Sequence, residues 1–399
     1  MQRRTFVTLA VSAALLSFTS GFAYAQEVVK IGASAPKTGP LAGGAAVTHW
    51  PNVKMWVDEV NARGGLKIGD TQQKIELVEY DDQTNPENAI QNIQRLATVD
   101  KVDFIVTPYS TGINVATAPM IAQHGYPHIT TSAATDGVEE FAKRWNNSFW
   151  MLGTATQLAK GAVETLVKLR DKGDIGNKVA LVNVTDAFGM ELLGAAKPAL
   201  TDAGFELVYE ASFPLGTQDL APVISSAKAA SPDAFVAFSY PGETFALTEQ
   251  AQIQGLDVGA FYVGVGTAFP SFAARFGKAA EGIIGIGGVN TDDPKVKDYM
   301  ERHQASAGQG PDFWASATTY AGLQVLEQAI EQAGTKDRAA VVQAIKDGTF
   351  DTVIGQVKFQ NNVNPNVWTV GQWRDGAFVA VAADGIEISQ EPVKKQGWE

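Results

Sequence analysis

The chain has 399 residues, 45% of them hydrophobic and 19% charged, and a formal net charge of −12. That length fits two domains, and the apolar content excludes a disordered chain. The acidic balance argues against nucleic acid and anionic membrane surfaces as partners, and the absence of Cys excludes disulfides, iron–sulfur clusters, thiolate zinc sites and a cysteine nucleophile.

Residues 1–25 read as an export signal. Arg3 and Arg4 form a positive start, residues 6–18 are an apolar run too short to span a bilayer, and Ala23-Tyr24-Ala25 fits a small-x-small cleavage site. Arg3-Arg4-Thr5-Phe6 also fits the start of a twin-arginine leader. No later stretch reaches 18 apolar residues without charge, so the mature chain is expected to be soluble, with no direct membrane insertion.

The mature chain alternates strand and helix. A β-branched run predicts a strand at 28–33. Val53, Val57 and Val60 after Pro51 predict a helix over 51–62, stopped by Gly64-Gly65. A strand at 75–80 ends in Asp81-Asp82, and Asn85-Pro86-Glu87 opens a helix with Ile90, Ile93, Leu96 and Ala97 on one face. A strand at 103–107, a helix at 116–123 and a strand at 127–131 follow. The alternation restarts with a helix marked by Leu158, Ala162, Leu166 and Leu169, a strand at 178–184 and a helix at 190–203. Strands at 205–213, 233–239 and 261–265 enclose helices at 220–230 and 244–254. An apolar run at 283–289, helices at 294–307, 313–333 and 338–346, and strand-like segments at 355–359, 368–374 and 377–382 complete the chain. Regular alternation predicts an α/β protein with parallel sheets, in two similar lobes.

Catalytic and metal signatures are sparse. His124 and His128 have metal-ligand spacing, but Gly125 and Pro127 break the helix such a pair needs; His49 and His303 stand alone. G-x-S-x-G and P-loop motifs are absent, and Gly264-Val265-Gly266 is half a dinucleotide fingerprint, placed late. No cofactor is expected. Asp81-Asp82 and Asp292-Asp293 read as solvated turns. The informative segments lie at strand ends: Thr107-Pro108-Tyr109-Ser110-Thr111-Gly112 and Thr130-Thr131-Ser132-Ala133-Ala134-Thr135. Each offers hydroxyls and backbone N–H groups ahead of a helix, where an anion is favoured. Taken singly, each reads as a helix cap. Two on neighbouring strands, at the edge where open α/β sheets bind ligands, point to a site.

The sequence resembles the periplasmic solute-binding proteins of branched-chain amino-acid-type ABC importers, the leucine/isoleucine/valine-binding protein group. The matching stretches include Thr38-Gly39-Pro40, Asn61-Ala62-Arg63-Gly64-Gly65-Leu66, Tyr80-Asp81-Asp82, Asp186-Ala187-Phe188-Gly189 and Asp351-Thr352-Val353-Ile354-Gly355. The resemblance implies a type I periplasmic binding fold: two Rossmann-like lobes joined by three hinge crossings and closing on a ligand. It places lobe one at 27–152 plus 287–354, lobe two at 153–286 plus 355–381, and a tail at 382–399. It implies a monomeric, non-catalytic periplasmic receptor that delivers a small molecule to a membrane permease and its ATPases. An amino-acid or amide receptor, a sensory regulator of the same fold, and an enzyme using the same cleft are the competing readings.

Carried over residue by residue, Ser110 or Thr111 would bond a ligand carboxylate, and Ala133, Ala134 and Thr135 would add backbone and hydroxyl groups. Phe188 and Tyr240 would pack from the second lobe, with Tyr109 and Trp50 as further apolar walls and Gly266 as a further ligand contact; Trp56 is assigned to the core. Two departures matter. Around Val265-Gly266-Thr267 there is no acid where amino-acid binders place the glutamate for the ammonium, and Gly43-Gly44-Ala45 replaces a ligand-covering Tyr and leaves room. A buried ammonium needs an anion, so the expected solute is a carboxylate with an apolar or aromatic body, unless Asp186 or Glu243 substitutes.

Overall fold

The computed structural model describes residues 27–388 and 390–398. The export signal expected at 1–25 lies outside the described residues. In the first lobe Val28–Ala35 lies between Thr71–Asp81 and Phe104–Val106, parallel to both, while Leu66–Ile68 pairs antiparallel on the outer edge of Thr71–Asp81. A second parallel pair, His128–Thr130 with Ser148–Trp150, extends this layer. The Thr107 hydroxyl, just past Phe104–Val106, donates to the Ile129 carbonyl at 2.8 Å and ties the two pieces together.

The helices begin where local chemistry satisfies their free N–H groups. Asn85 accepts from Glu87 N and Asn88 N, and Pro86 takes the first position of Pro86–Arg95. Thr154 and Gln157 form a reciprocal capping box at the start of Ala155–Asp171. Ala315–Ala333 buries most of its faces, as its apolar sequence requires.

The second lobe is a seven-stranded sheet in the order Ala377–Asp384, Val367–Arg374, Ile284–Ile286, Ala260–Gly264, Ala234–Phe238, Lys178–Val184, Glu206–Phe213. Ala234–Phe238 and Ala260–Gly264 are buried at every residue, as parallel strands covered on both faces must be. The chain passes between the lobes near residues 151–154, 287–293 and 358–366. The first and last of these touch: Trp150 N donates to Asn362 O and Asn364 N to Trp150 O, both at 2.8 Å.

Several elements differ from their sequence reading. The strand-like segment at 355–359 is the hairpin Phe350–Thr352 and Gly355–Val357, tied to the first-lobe helix Ala315–Ala333 through Gln324 and Gln328. The final strand runs on to Asp384, and the tail is held on the second lobe: Lys395 N donates to Gly259 O at 2.8 Å and Trp398 Nε1 to Leu256 O at 2.9 Å. Asp81-Asp82 is not a solvated turn. Asp82 is fully buried, and burial pushes its carboxyl up to about 7. Among the described residues, no helix is long and apolar enough to cross a membrane, and no group of three or more acidic or histidine side chains is placed to hold a metal ion.

Gly65, at φ 113°, turns the chain from the helix Trp50–Ala62 into Leu66–Ile68, and a Cβ there would strike the Gln73 carbonyl. Gly65→Ala should therefore lower stability by ~1–3 kcal/mol, read as a drop in the thermal midpoint. An unchanged midpoint would contradict this account of the turn.

Candidate functional site

The site is built first from the turn after Phe104–Val106. Ser110 caps the helix Thr111–Gln123 with φ 86° and ψ 153°, and its hydroxyl accepts from Ile113 N at 3.4 Å. The helix thus begins directly at the expected segment, five residues before the sequence reading. Thr111 is committed inside the lobe: its hydroxyl accepts from Ala134 N at 3.2 Å and donates to Ala134 O at 3.3 Å. Ser132 Oγ accepts from Ser110 N and donates to Pro108 O, each at 3.3 Å. The second segment differs from expectation, because it runs through a loop to the short helix Val138–Arg144, which has no side-chain cap. Of the two expected segments, only the first therefore opens directly into a helix.

The opposing wall belongs to the second lobe. Asp186 caps Ala187–Asp202 by accepting from Gly189 N at 2.9 Å, and its other oxygen accepts from the Tyr240 hydroxyl at 2.9 Å. This bond holds the Tyr240 ring 5.2 Å from that of Phe188, tilted by 41°. Burial raises the pKa of both Asp186 and Tyr240. Glu243 is also buried; it accepts from Gly216 N, and burial raises its pKa. Gly266, at φ 105°, backs against Pro241 and accepts from Phe269 N through its carbonyl at 3.0 Å, so it shapes the turn while the neighbouring Val265 supplies the lining.

The lobes close on a cavity of about 20 Å³, room for about one water. Its walls are the rings of Tyr109, Phe188, Tyr240 and Trp314, the side chains of Leu152 and Val265, and the small residues Ser132, Ala134 and Ala315. None of these nine is charged. Across the gap, a Cβ on Gly112 would lie 3.8 Å from Ala187 Cβ, and one on Gly216 would lie 3.0 Å from Pro40 Cγ. Glu191 fastens the lobes together, accepting from Thr135 Oγ1 and Asp136 N, each at 2.8 Å.

The expected residues therefore separate. Tyr109, Ala134, Phe188 and Tyr240 line the cavity, while Ser110 and Thr111, which follow Tyr109 in the chain, are not among its nine lining residues. Thr135 is spent on Glu191. Ala133 packs with Val138 and Trp150. Trp50 stands elsewhere, in a surface cleft of about 420 Å³ with Lys37 and Lys54, its Nε1 donating to Pro36 O at 3.2 Å. The room expected at Gly43-Gly44-Ala45 is filled at Gly44, where a side chain would strike the Tyr109 hydroxyl, and at Gly43 it is open space on the exposed side of the helix. Sequence reading missed Leu152, Trp314, Ala315 and Val265 as lining. Behind Tyr109, Asp312 accepts from Trp314 N, Ser316 N and Ser316 Oγ at 2.6–3.0 Å. Burial pushes its carboxyl up to about 6, and burial, then the Asp312 charge, raises the Tyr109 phenol.

Residues 28–377 match the family model described as periplasmic binding protein. A curated relative, Leu/Ile/Val-binding protein homolog 7 of Brucella abortus, is 28% identical over 404 residues, covering 96% of this chain and 98% of the relative. Two solved structures share the fold. One is a solute binding protein of an ABC transporter from Rhodopseudomonas palustris in complex with 3,4-dihydroxybenzoic acid, with TM-score 0.76 and 22% identity, covering 92% of this chain and 98% of that one. The other is the branched-chain amino acid transporter substrate binding protein of Streptococcus pneumoniae in complex with isoleucine, with TM-score 0.76 and 23% identity, covering 90% and 99%.

Glu191→Ala removes both hydrogen bonds of the inter-lobe fastening. Small-angle scattering without added solute should show a larger radius of gyration for the variant than for the parent. Identical curves would mean that Glu191 does not hold the lobes together.

Proposed function

The chain belongs to the periplasmic binding protein family, and within it we propose a receptor for a small carboxylate with an apolar or aromatic body. It is a solute-binding protein of ABC-transporter type. In this reading it works in the periplasm as a monomer, without turnover, and hands its solute to a membrane permease driven by ATPases. The leader at 1–25 would direct export, by the general or the twin-arginine route.

The observation that carries the ligand class is the lining: four aromatic rings, and no charged residue among the nine. The carboxylate would sit at the start of Thr111–Gln123, bonded by the Ser110 hydroxyl and favoured by the helix field. A planar ring between Tyr109, Phe188, Tyr240 and Trp314 would bury ~150–200 Å² of apolar surface, worth ~4–5 kcal/mol before the entropy of association is subtracted. The solute enters when the lobes part, because the closed cavity is far smaller than the ~300 Å³ that ligand sites occupy. One solved structure of this fold holds 3,4-dihydroxybenzoic acid and another isoleucine, so the fold admits both ligand classes.

A second reading, an α-amino acid, is favoured by Asp186 and Glu243 standing behind the second-lobe wall. Both carboxylates already accept hydrogen bonds, Asp186 from Gly189 and Tyr240 and Glu243 from Gly216. An ammonium would have to displace Tyr240 to reach Asp186.

A thermal-shift and calorimetry panel of benzoate, 3,4-dihydroxybenzoate, hexanoate, benzamide, leucine, isoleucine and valine separates the readings. An aromatic acid should give the largest rise in midpoint, since a solute that binds only the folded state stabilises it. Ser110→Ala should weaken benzoate binding roughly ten- to a hundredfold, as expected for losing a hydrogen bond to a charged group. Phe188→Ala should weaken it through lost apolar contact. The largest shift from leucine, isoleucine or valine would overturn the ligand class.

A further inference from the structure

We infer that Asn114 and His128 are positioning residues that hold the Ser110 loop in its ligand-binding shape; the inference rests on the reading of Ser110 as a ligand contact. The two hydrogens of the Asn114 amide go to the carbonyls on either side of Tyr109: Nδ2 donates to Pro108 O at 2.7 Å and to Ser110 O at 2.8 Å. Asn114 Oδ1 is thereby left as an acceptor, and His128 Nε2 lies 3.2 Å from it. His128 Nδ1 lies 2.8 Å from Ser148 Oγ. Asn114, His128 and Ser148 are all buried. Burial lowers the His128 pKa to about 3, so the ring is neutral and carries one proton. With Asn114 Oδ1 as acceptor that proton sits on Nε2, and Nδ1 accepts from the Ser148 hydroxyl.

The bonds therefore run one way, from Ser148 to His128 to Asn114 to the two loop carbonyls, and every donor is matched. Such a brace is needed because Ser110 is held at φ 86° and ψ 153°, a conformation that a non-glycine residue keeps only when its surroundings impose it. Ser148 heads the strand Ser148–Trp150 that leads into the first passage between the lobes, so the brace anchors the ligand loop to the hinge side of its own lobe. His128, which reads as a structural histidine in the sequence, is not among the nine residues that line the cavity.

The test uses the full mature chain and benzoate as probe, with calorimetry. His128→Leu should weaken benzoate about tenfold. His128→Gln, whose amide can donate to Asn114 Oδ1, should restore most of that loss. Adding His128→Leu to Ser110→Ala should weaken binding no further than Ser110→Ala alone, because both act through one hydroxyl. Losses that multiply, or a His128→Leu variant with parental affinity, would overturn the inference. Ser148→Ala, which removes only the outer donor, carries the same test should His128→Leu not fold. A parent that does not bind benzoate at all would count against the ligand class instead. In that case amide exchange without solute decides: the N–H groups of Ile113 and Asn114 should exchange faster in His128→Leu while those of Ala234–Phe238 keep their rates. Unchanged exchange at Ile113 and Asn114 would overturn the brace.

Discussion

Between Phe104–Val106 and Thr111–Gln123 the chain has four residues in which to leave a buried strand and enter a helix aimed at the opposing lobe. Ser110 absorbs the turn with a backbone conformation that costs about 1–3 kcal/mol elsewhere. Much of the polar chemistry of the first lobe serves that one geometry. Thr107 bonds the next strand, Thr111 clasps Ala134, Ser132 bridges Ser110 and Pro108, and the Asn114 amide takes the two carbonyls. What this lobe presents to the cavity is the Tyr109 ring with Ser132 and Ala134, next to the start of the helix Thr111–Gln123. In the proposed reading such a site attracts an anion through neutral donors, which hold position without a competing counter-ion.

The second lobe answers with apolar surface held by one polar bond. The Asp186 carboxylate caps its own helix and anchors Tyr240, so the ring pair Phe188–Tyr240 is pre-set before a solute arrives. Pre-setting matters because ordering side chains on binding subtracts about 0.5–1.5 kcal/mol each. Closure itself is secured away from the cavity, at Glu191. Thr135 and Asp136 can thus report lobe position without touching the solute, and three passages between the lobes confine the motion to a hinge.

Much of this was legible in the sequence, for reasons tied to particular residues. The alternation of apolar strand and amphipathic helix is dictated by burial on both faces of a parallel sheet, so it survives in a single chain. The Ser110 segment stood out because it and the segment ending in Thr135 both follow neighbouring strands, although each alone reads as a helix cap. The helix start at Thr111 was hidden, since Thr111 and Gly112 are weak helix formers and the Ser110 cap overrides them. Trp314 read as part of an apolar helix, although it stands just ahead of Ala315–Ala333 and points into the cavity lining. Thr135 and Glu191 are 56 positions apart and belong to different lobes, so no local pattern encodes their bond. Trp50 misled because an aromatic side chain suggested a wall, but its Nε1 is bonded to Pro36 O and its ring lines a separate cleft with Lys37 and Lys54.

The central claim is that the lobes close on an aromatic carboxylate. The chain contains no Cys, so Val99→Cys and Ile253→Cys provide two unique labelling points, one on each lobe and both well exposed, at 66% and 69%. Distances between spin labels at these positions, measured with and without saturating benzoate, test the claim directly. The account predicts a broad distribution reaching longer distances without benzoate and a single shorter distance with it. The same distribution in both conditions would contradict it.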